Sequence, residues 1–251
     1  MTWVIGIPKL IVVLIGTDLL SNVMKKPIVL TSSTSPKWMW PDTSPPPSIG
    51  DLTYLKTFSI HNVRNLTGPI PSTIVKLTNL EFFRISQTNI SGPVPEVLRT
   101  NLLDQSRSHL APNLTYLYLG HNQLTGIVAG WSFETIDLSR NMLEGDISFL
   151  FGKDKNTFEM LLDRNKFEFD MSKLTFGKRL WRLDLNHNKI YGSLPNIMSK
   201  NPWQLLNVSY NRLCGKIPKG ENMQRFEIYE YFHNKCLCGA PLPPCKSSSI
   251  I

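Results

Sequence analysis

The chain repeats itself, and that constrains its fold more than any other feature of its 251 residues. Seven segments align on one template: Asn65-Leu66-Thr67-Gly68-Pro69-Ile70-Pro71, Asn89-Ile90-Ser91-Gly92-Pro93-Val94-Pro95, Gln123-Leu124-Thr125-Gly126-Ile127, Met142-Leu143-Glu144-Gly145-Asp146-Ile147, Lys166-Phe167-Glu168, Lys189-Ile190-Tyr191-Gly192-Ser193-Leu194-Pro195 and Arg212-Leu213-Cys214-Gly215-Lys216-Ile217-Pro218. Their apolar anchors fall at 66, 90, 124, 143, 167, 190 and 213, so the intervals are 24, 34, 19, 24, 23 and 23 residues. Four of the six agree on one period. A period in that range marks a stacked architecture, in which each unit buries its apolar face only against its neighbours.

Upstream of each anchor runs an alternating signal: Phe58-x-Ile60, Phe83-x-Ile85, Leu117-x-Leu119, Ile136-x-Leu138, Met160-x-Leu162, Leu183-x-Leu185 and Leu206-x-Val208. Alternation sends two apolar side chains inward and their neighbours outward, as a short strand does. Asn122, Asn141, Asn165, Asn188 and Asn211 stand where the chain leaves each strand. A buried Asn there bonds backbone groups of its own turn and the next, which a tight coil would otherwise leave unsatisfied. Gly after the following apolar residue permits the bend, and the Ile-Pro or Val-Pro pair keeps the flank extended. The pattern is L-x-x-L-x-L-x-x-N-x-L. It predicts a leucine-rich-repeat solenoid over 49–219, with short parallel strands on a concave face and a mostly irregular or 3-10 convex side.

Two intervals break the period. Ten extra residues between anchors 90 and 124 centre on the polar stretch Arg99 to Ser108, and about five are missing between 124 and 143. Poorer order is expected around 96–112 and 127–133. Residues 1–24 form an interrupted apolar segment, signal-like but with an uninterrupted run of only seven residues, Leu10 to Gly16. That is far short of the ~20 a bilayer span needs. Residues 25–48 are rich in Ser, Thr and Pro and read as disordered linker.

The formal charge is +8, from 27 Lys and Arg against 19 Asp and Glu, thinly spread because only 18% of residues are charged. No nucleic-acid motif accompanies it. All four cysteines, Cys214, Cys236, Cys238 and Cys245, lie in the last 38 residues. Their Cys-x21-Cys-x-Cys-x6-Cys spacing lacks the paired Cys-x-x-Cys claws of a structural zinc site, and three disulfide connectivities are open. They mark a cap over 220–246, ahead of a tail, 247–251. No nucleophile elbow, phosphate loop or His-Glu-x-x-His occurs, so neither catalysis nor a cofactor is expected.

The Leu-Thr-Gly-x-Ile-Pro element is of the plant leucine-rich-repeat type. The strings Ser139-Arg140-Asn141, Asn186-His187-Asn188-Lys189-Ile190-Tyr191-Gly192-Ser193, Leu206-Asn207-Val208-Ser209-Tyr210-Asn211-Arg212-Leu213-Cys214-Gly215 and Tyr231 through Cys245 resemble the plant polygalacturonase-inhibiting proteins. The resemblance covers roughly 49–246. It implies a secreted, extracellular cell-wall glycoprotein that binds fungal or insect polygalacturonase through the concave face in plant defence. It also implies the pairing Cys214–Cys236 and Cys238–Cys245. The chain departs from the family pattern upstream of Ile49, where the Trp-x-Gly-Val-x-Cys cap motif is not found, and it holds one or two fewer central repeats. The alternatives are a receptor-like recognition module and a non-functional truncated paralogue.

Outward strand positions supply the candidate contact residues: Tyr116, Tyr118 and His121; Asp137, Ser139 and Arg140; Phe158 and Asp163; Arg182, Asp184, Asn186 and His187; Gln204, Ser209 and Tyr210. Aromatic and charged groups on a rigid sheet are hot-spot material, and the aspartates suit a partner with a basic, carbohydrate-binding cleft. Sequons occur at Asn65, Asn89, Asn113 and Asn207, the last on the expected contact face and so the least suited to carry a glycan. The positive charge suits pectin, a polyanion, as a further partner. A monomer is expected.

Overall fold

The computed structural model describes residues 3–7, 10–14, 28–31, 44–45, 47–95, 114–127 and 133–246. The expected loss of order at 96–112 and 127–133 falls almost wholly outside these residues, as do Asn113 and the tail 247–251. The chain packs as two compact units, Met1–Thr125 and Gly126–Ile251.

In the first unit, β1 (Trp3–Ile7) and β2 (Leu10–Leu14) pair antiparallel. Strand β3 (Ile28–Thr31) lies parallel to β4 (Thr57–His61), with Ile28 opposite Phe58. That strand falls inside the stretch whose composition reads as linker. The correction has a simple cause: Ile-Val-Leu-Thr is a β-branched, sheet-forming run, and the Ser/Thr/Pro bias begins only after it. After β5 (Thr67–Gly68), β6 (Phe82–Ser86) continues the parallel sheet, and β7 (Asn89–Pro93) pairs with β5. Strand β8 (Tyr116–Tyr118) adds to β6, and β9 (Gln123–Ile127) adds to β7.

The second unit repeats the plan. Strands β10 (Thr135–Asp137), β12 (Glu159–Leu161), β14 (Arg182–Asp184) and β16 (Leu205–Asn207) are parallel neighbours in that order. The returning strands are β11 (Met142–Gly145), β13 (Lys166–Phe167), β15 (Tyr191–Gly192), β17 (Arg212–Lys216) and β18 (Cys236–Cys238). Between the two strand layers and the 3-10 turns, such as Ser72–Lys76 and Asn196–Lys200, lies the core. The anchors Leu66, Ile90, Leu124, Leu143, Phe167, Ile190 and Leu213 are all at most 2% exposed, and so are the inward strand pairs from Phe58 and Ile60 to Leu206 and Val208.

The asparagines do what their position requires. Asn188 donates from Nδ2 to Leu162 O at 3.0 Å on the preceding turn and to Leu185 O at 3.1 Å on its own, while its Oδ1 accepts from Phe167 N at 3.0 Å. Asn165 and Asn211 repeat the scheme, and so does Asn234 at the cap. One residue before each of these sites the backbone turns left-handed, at His121, Arg140, Arg164, His187, Tyr210 and His233, each with φ between 52° and 59°. The equivalents in the first two turns are Asn62 (φ 57°) and Gln87 (φ 55°). At the C-terminal end Cys214 bonds Cys236 and Cys238 bonds Cys245, the pairing that the family resemblance implies. Cys214–Cys236 ties β17 to β18, which run side by side.

Candidate functional site

In the second unit the outward face of the strand sheet is a grid, with turns in one direction and strand positions in the other. One row holds Thr135, Glu159, Arg182 and Leu205, and the next holds Asp137, Leu161, Asp184 and Asn207. Two residues further along stand Ser139, Asp163, Asn186 and Ser209. In three of these turns the first polar residue caps the second. Asp137 Oδ1 accepts from Ser139 N at 3.0 Å and Oγ at 2.7 Å, and Asn207 Oδ1 accepts from Ser209 N and Oγ at the same two distances. Asp184 Oδ1 accepts from Asn186 N at 3.1 Å and Nδ2 at 2.5 Å. These bonds bury Ser139, Asn186 and Ser209 to between 2% and 9% exposure, so three expected contact residues are scaffold for the face and present little of themselves to a partner.

The turn that carries Asp163 inverts the pattern. Leu161 takes the acceptor position and Asp163 the donor position, so the three aspartates do not form one row: Asp137 and Asp184 flank Leu161, and Asp163 stands two residues on. Its carboxylate receives no capping bond, and its ion-pair partner is Arg140, with Nε 4.0 Å from Oδ2. Burial, followed by the charge of Asp184, raises the Asp163 carboxyl from the ordinary carboxylate range to about 6, against the pull of Arg140. Burial also raises Asp184 and Glu159. Glu159 is held by Arg182, Nη1 to Oε1 at 2.5 Å. Phe158 meets Trp181 edge-on at 6.3 Å in front of this row, and Gln204 is exposed, with its backbone N–H on Trp181 O.

The left-handed positions form a column of their own. His187 stacks on Tyr210 at 3.9 Å, and Tyr210 on His233 at 4.4 Å, while Phe232 and Tyr229 extend the cluster edge-on. Burial and the nearby Arg164 and Arg140 lower the His187 imidazole below its usual value. Phe232 and His233 belong to the cap and escaped the sequence enumeration, because the Asn234 that marks their turn was absorbed into the cysteine motif.

The first unit carries a separate cluster on its outward face. Phe82 lies 6.1 Å from Tyr116 and 5.3 Å from Tyr118, and the Arg84 guanidinium lies 5.5 Å from the Tyr118 ring centre. Arg84 Nε donates to Ser86 Oγ at 2.8 Å, and His61 Nδ1 lies 2.9 Å from the same oxygen. His121 occupies the left-handed position of its turn and is exposed. Tyr116, Tyr118 and His121 were expected; Phe82 and Arg84 were missed, although the alternation around Phe83-x-Ile85 places both outward.

At the start of the returning strands or just before them, Lys166, Lys189, Arg212 and Lys235 occupy one repeat position in successive turns, and Arg212 Nη1 meets Glu168 Oε1 at 3.3 Å. Asn65 and Asn89 are exposed, while Asn207 is half-buried and engaged with Ser209. Among the described residues no His, Cys, Asp and Glu group is arranged to hold a metal ion, and no helix is long and apolar enough to cross a membrane.

Stacked parallel strands, an asparagine at the strand exit of six successive turns from Asn122 to Asn234, and a profile match described as Leucine Rich Repeat at 113–131 and 179–201 define a leucine-rich-repeat protein. A plant ice-binding protein has the same fold, with a TM-score of 0.61 and 34% identity over 82% of this chain and 80% of that one. Polygalacturonase inhibitor 2 of Arabidopsis thaliana is 46% identical and the polygalacturonase inhibitor of Pyrus communis 45%, each alignment covering 80% of this chain and 74% of the relative. The chain belongs to the polygalacturonase inhibitor family. It is an inhibitor-type protein, not an enzyme.

Proposed function

We propose that this protein inhibits fungal or insect polygalacturonase by seating the enzyme against the outward, concave face of its strand sheets, as a monomer in the plant cell wall, in defence. The observation that carries this reading is the grid on β10, β12, β14 and β16. It presents carboxylates at Asp137 and Asp184, guanidinium groups at Arg140, Arg164 and Arg182, and the rings of Phe158 and Tyr210, with the buried carboxylates of Asp163 and Glu159 behind them, all on rigid backbone. An enzyme that cleaves a polyuronate needs a cationic cleft, and fixed carboxylates at its mouth compete with substrate. Two disulfides suit an oxidising, extracellular compartment. Exposed Asn65 and Asn89 are the glycan sites this reading favours over Asn207. The test measures reducing ends released from polygalacturonate by a panel of fungal and insect enzymes, with and without folded, secreted protein. Dose-dependent inhibition of at least one enzyme is expected, and none across the panel refutes the reading.

A second partner is favoured by the ladder Lys166, Lys189, Arg212 and Lys235. Cations recurring once per turn suit a linear polyanion, and pectin is the one at hand in the wall. Retention on immobilised polygalacturonate that salt reverses, and that Lys166→Gln with Lys189→Gln weakens, is expected; unchanged retention of the double variant refutes it.

A further inference from the structure

In the first unit the outward face differs in charge from the grid just described. Glu81 is paired with Lys56, and Asp51 with Lys76. Arg84 has no carboxylate within ion-pair distance among the described residues. The guanidinium is nevertheless fixed: Tyr118 lies beneath it at 5.5 Å, and Ser86 Oγ accepts from Nε at 2.8 Å. Both contacts use a face or an inner edge of the group and leave the terminal Nη pair free to form the two parallel bonds by which Arg grips a carboxylate. Burial, Arg84 and His121 hold the neighbouring His61 below its usual value, so Arg84 is the permanent cation of the cluster. Phe82, Tyr116 and Tyr118 form a half-buried apolar collar beside it. A charged fork inside an aromatic collar, held before any partner arrives, is the composition from which binding hot spots are made.

A glycoside hydrolase presents a matching group, since its chemistry requires paired carboxylates flanking the bond it cuts. We infer that Arg84, backed by Tyr118 and Ser86, is the anchor that grips the catalytic carboxylates of the inhibited polygalacturonase. This inference rests on the function proposed above and names the group that would make such inhibition compete directly with catalysis.

The experiment is a double-mutant cycle. Binding is measured for wild-type protein and for Arg84→Gln, each against the active polygalacturonase and against that enzyme with one catalytic carboxylate changed to the carboxamide. Arg84→Gln is expected to weaken binding to the active enzyme by about 30-fold or more, and by less than about threefold to the carboxamide enzyme, because the lost partner is then already absent. Arg84→Lys, which keeps the charge without the fork, is expected to recover only part of the loss. An equal loss against both enzymes, or no loss against either, overturns the inference. So does retained enzyme binding by Arg84→Gln with loss of trigalacturonate binding, which would make the site one for a saccharide. If wild-type protein binds no polygalacturonase, the proposed function fails first and takes the anchor with it. An unchanged unfolding midpoint in Arg84→Gln separates a lost contact from a lost fold.

Discussion

Changing Asp163 to Asn should make the protein more stable at neutral pH. Asp163 stands where its neighbouring turns carry Ser139 and Asn186, so an amide fits the position. The carboxylate it replaces is only 12% exposed, lies near Asp137 and Asp184, and has Arg140 no closer than 4.0 Å. Its folded-state value of about 6 stands above the 3.8 of an unperturbed Asp. The folded protein therefore holds this proton more tightly than the unfolded chain. The resulting stability is fully present below about 3.8 and is lost as pH rises through about 6. A displacement of roughly two units corresponds to at most about 3 kcal/mol, with the opposing pull of Arg140 already contained in it. Urea unfolding of the wild type and Asp163→Asn, followed by far-UV circular dichroism between pH 3.5 and about 7.5, gives the comparison. The variant should be more stable by about 2 kcal/mol at the upper end, with the difference closing between pH ~6.5 and ~4. A variant less stable at neutral pH, or one displaced equally at every pH, would show that Asp163 is not the strained charge this geometry makes it.

Asn188→Ala orphans Phe167 N, which now donates to Asn188 Oδ1 at 3.0 Å, and removes one of two amide donors from each of Leu162 O and Leu185 O, which keep Asn165 and Asn211; a loss of about 2 kcal/mol is expected in urea unfolding, given roughly 1–3 kcal/mol for an orphaned buried group, and a loss below about 1 kcal/mol would mean water replaces the amide. Replacing Cys214 and Cys236 together by Ala opens a link of sequence separation 22 and should lower stability by roughly 3 kcal/mol, with amide exchange accelerating first around β18. Uniform acceleration along the second unit would count against a locally acting clamp. Gly192→Ala drives a methyl into Asp170 Oδ1 and Ser172 Oγ at a φ of +86°; a fall in melting temperature of several degrees is expected, and an unchanged melting temperature would refute the close approach.

The repeat carried the fold in plain view, because every turn must solve the same two problems: burying an apolar pair and satisfying the backbone as it leaves the strand. Leu183, Leu185 and Asn188 announce both solutions by residue type alone. Side-chain register was harder to see. Asp163 and Asp184 both alternate outward, and a displacement of two residues leaves that alternation unchanged, so only strand pairing showed that they stand in different rows. Ser139 and Ser209 are outward by pattern yet buried by the hydrogen bonds they make. Strand β3 was hidden for another reason: four sheet-forming residues are too few to outweigh the composition of a longer segment.

One feature of the backbone bears on how such a surface changes over generations. Eight non-glycine residues, Asn62, Gln87, His121, Arg140, Arg164, His187, Tyr210 and His233, adopt the same left-handed turn at the same place in their repeats. The conformational cost, roughly 1–2 kcal/mol each, is nearly indifferent to whether the residue is an amide, a guanidinium, an imidazole or a phenol; only β-branched side chains are barred. The fold thus leaves one letter per turn almost free to vary at its outward margin while the spelling of the interior stays fixed. A lineage of such proteins can rewrite what it recognises one turn at a time, without renegotiating how it folds.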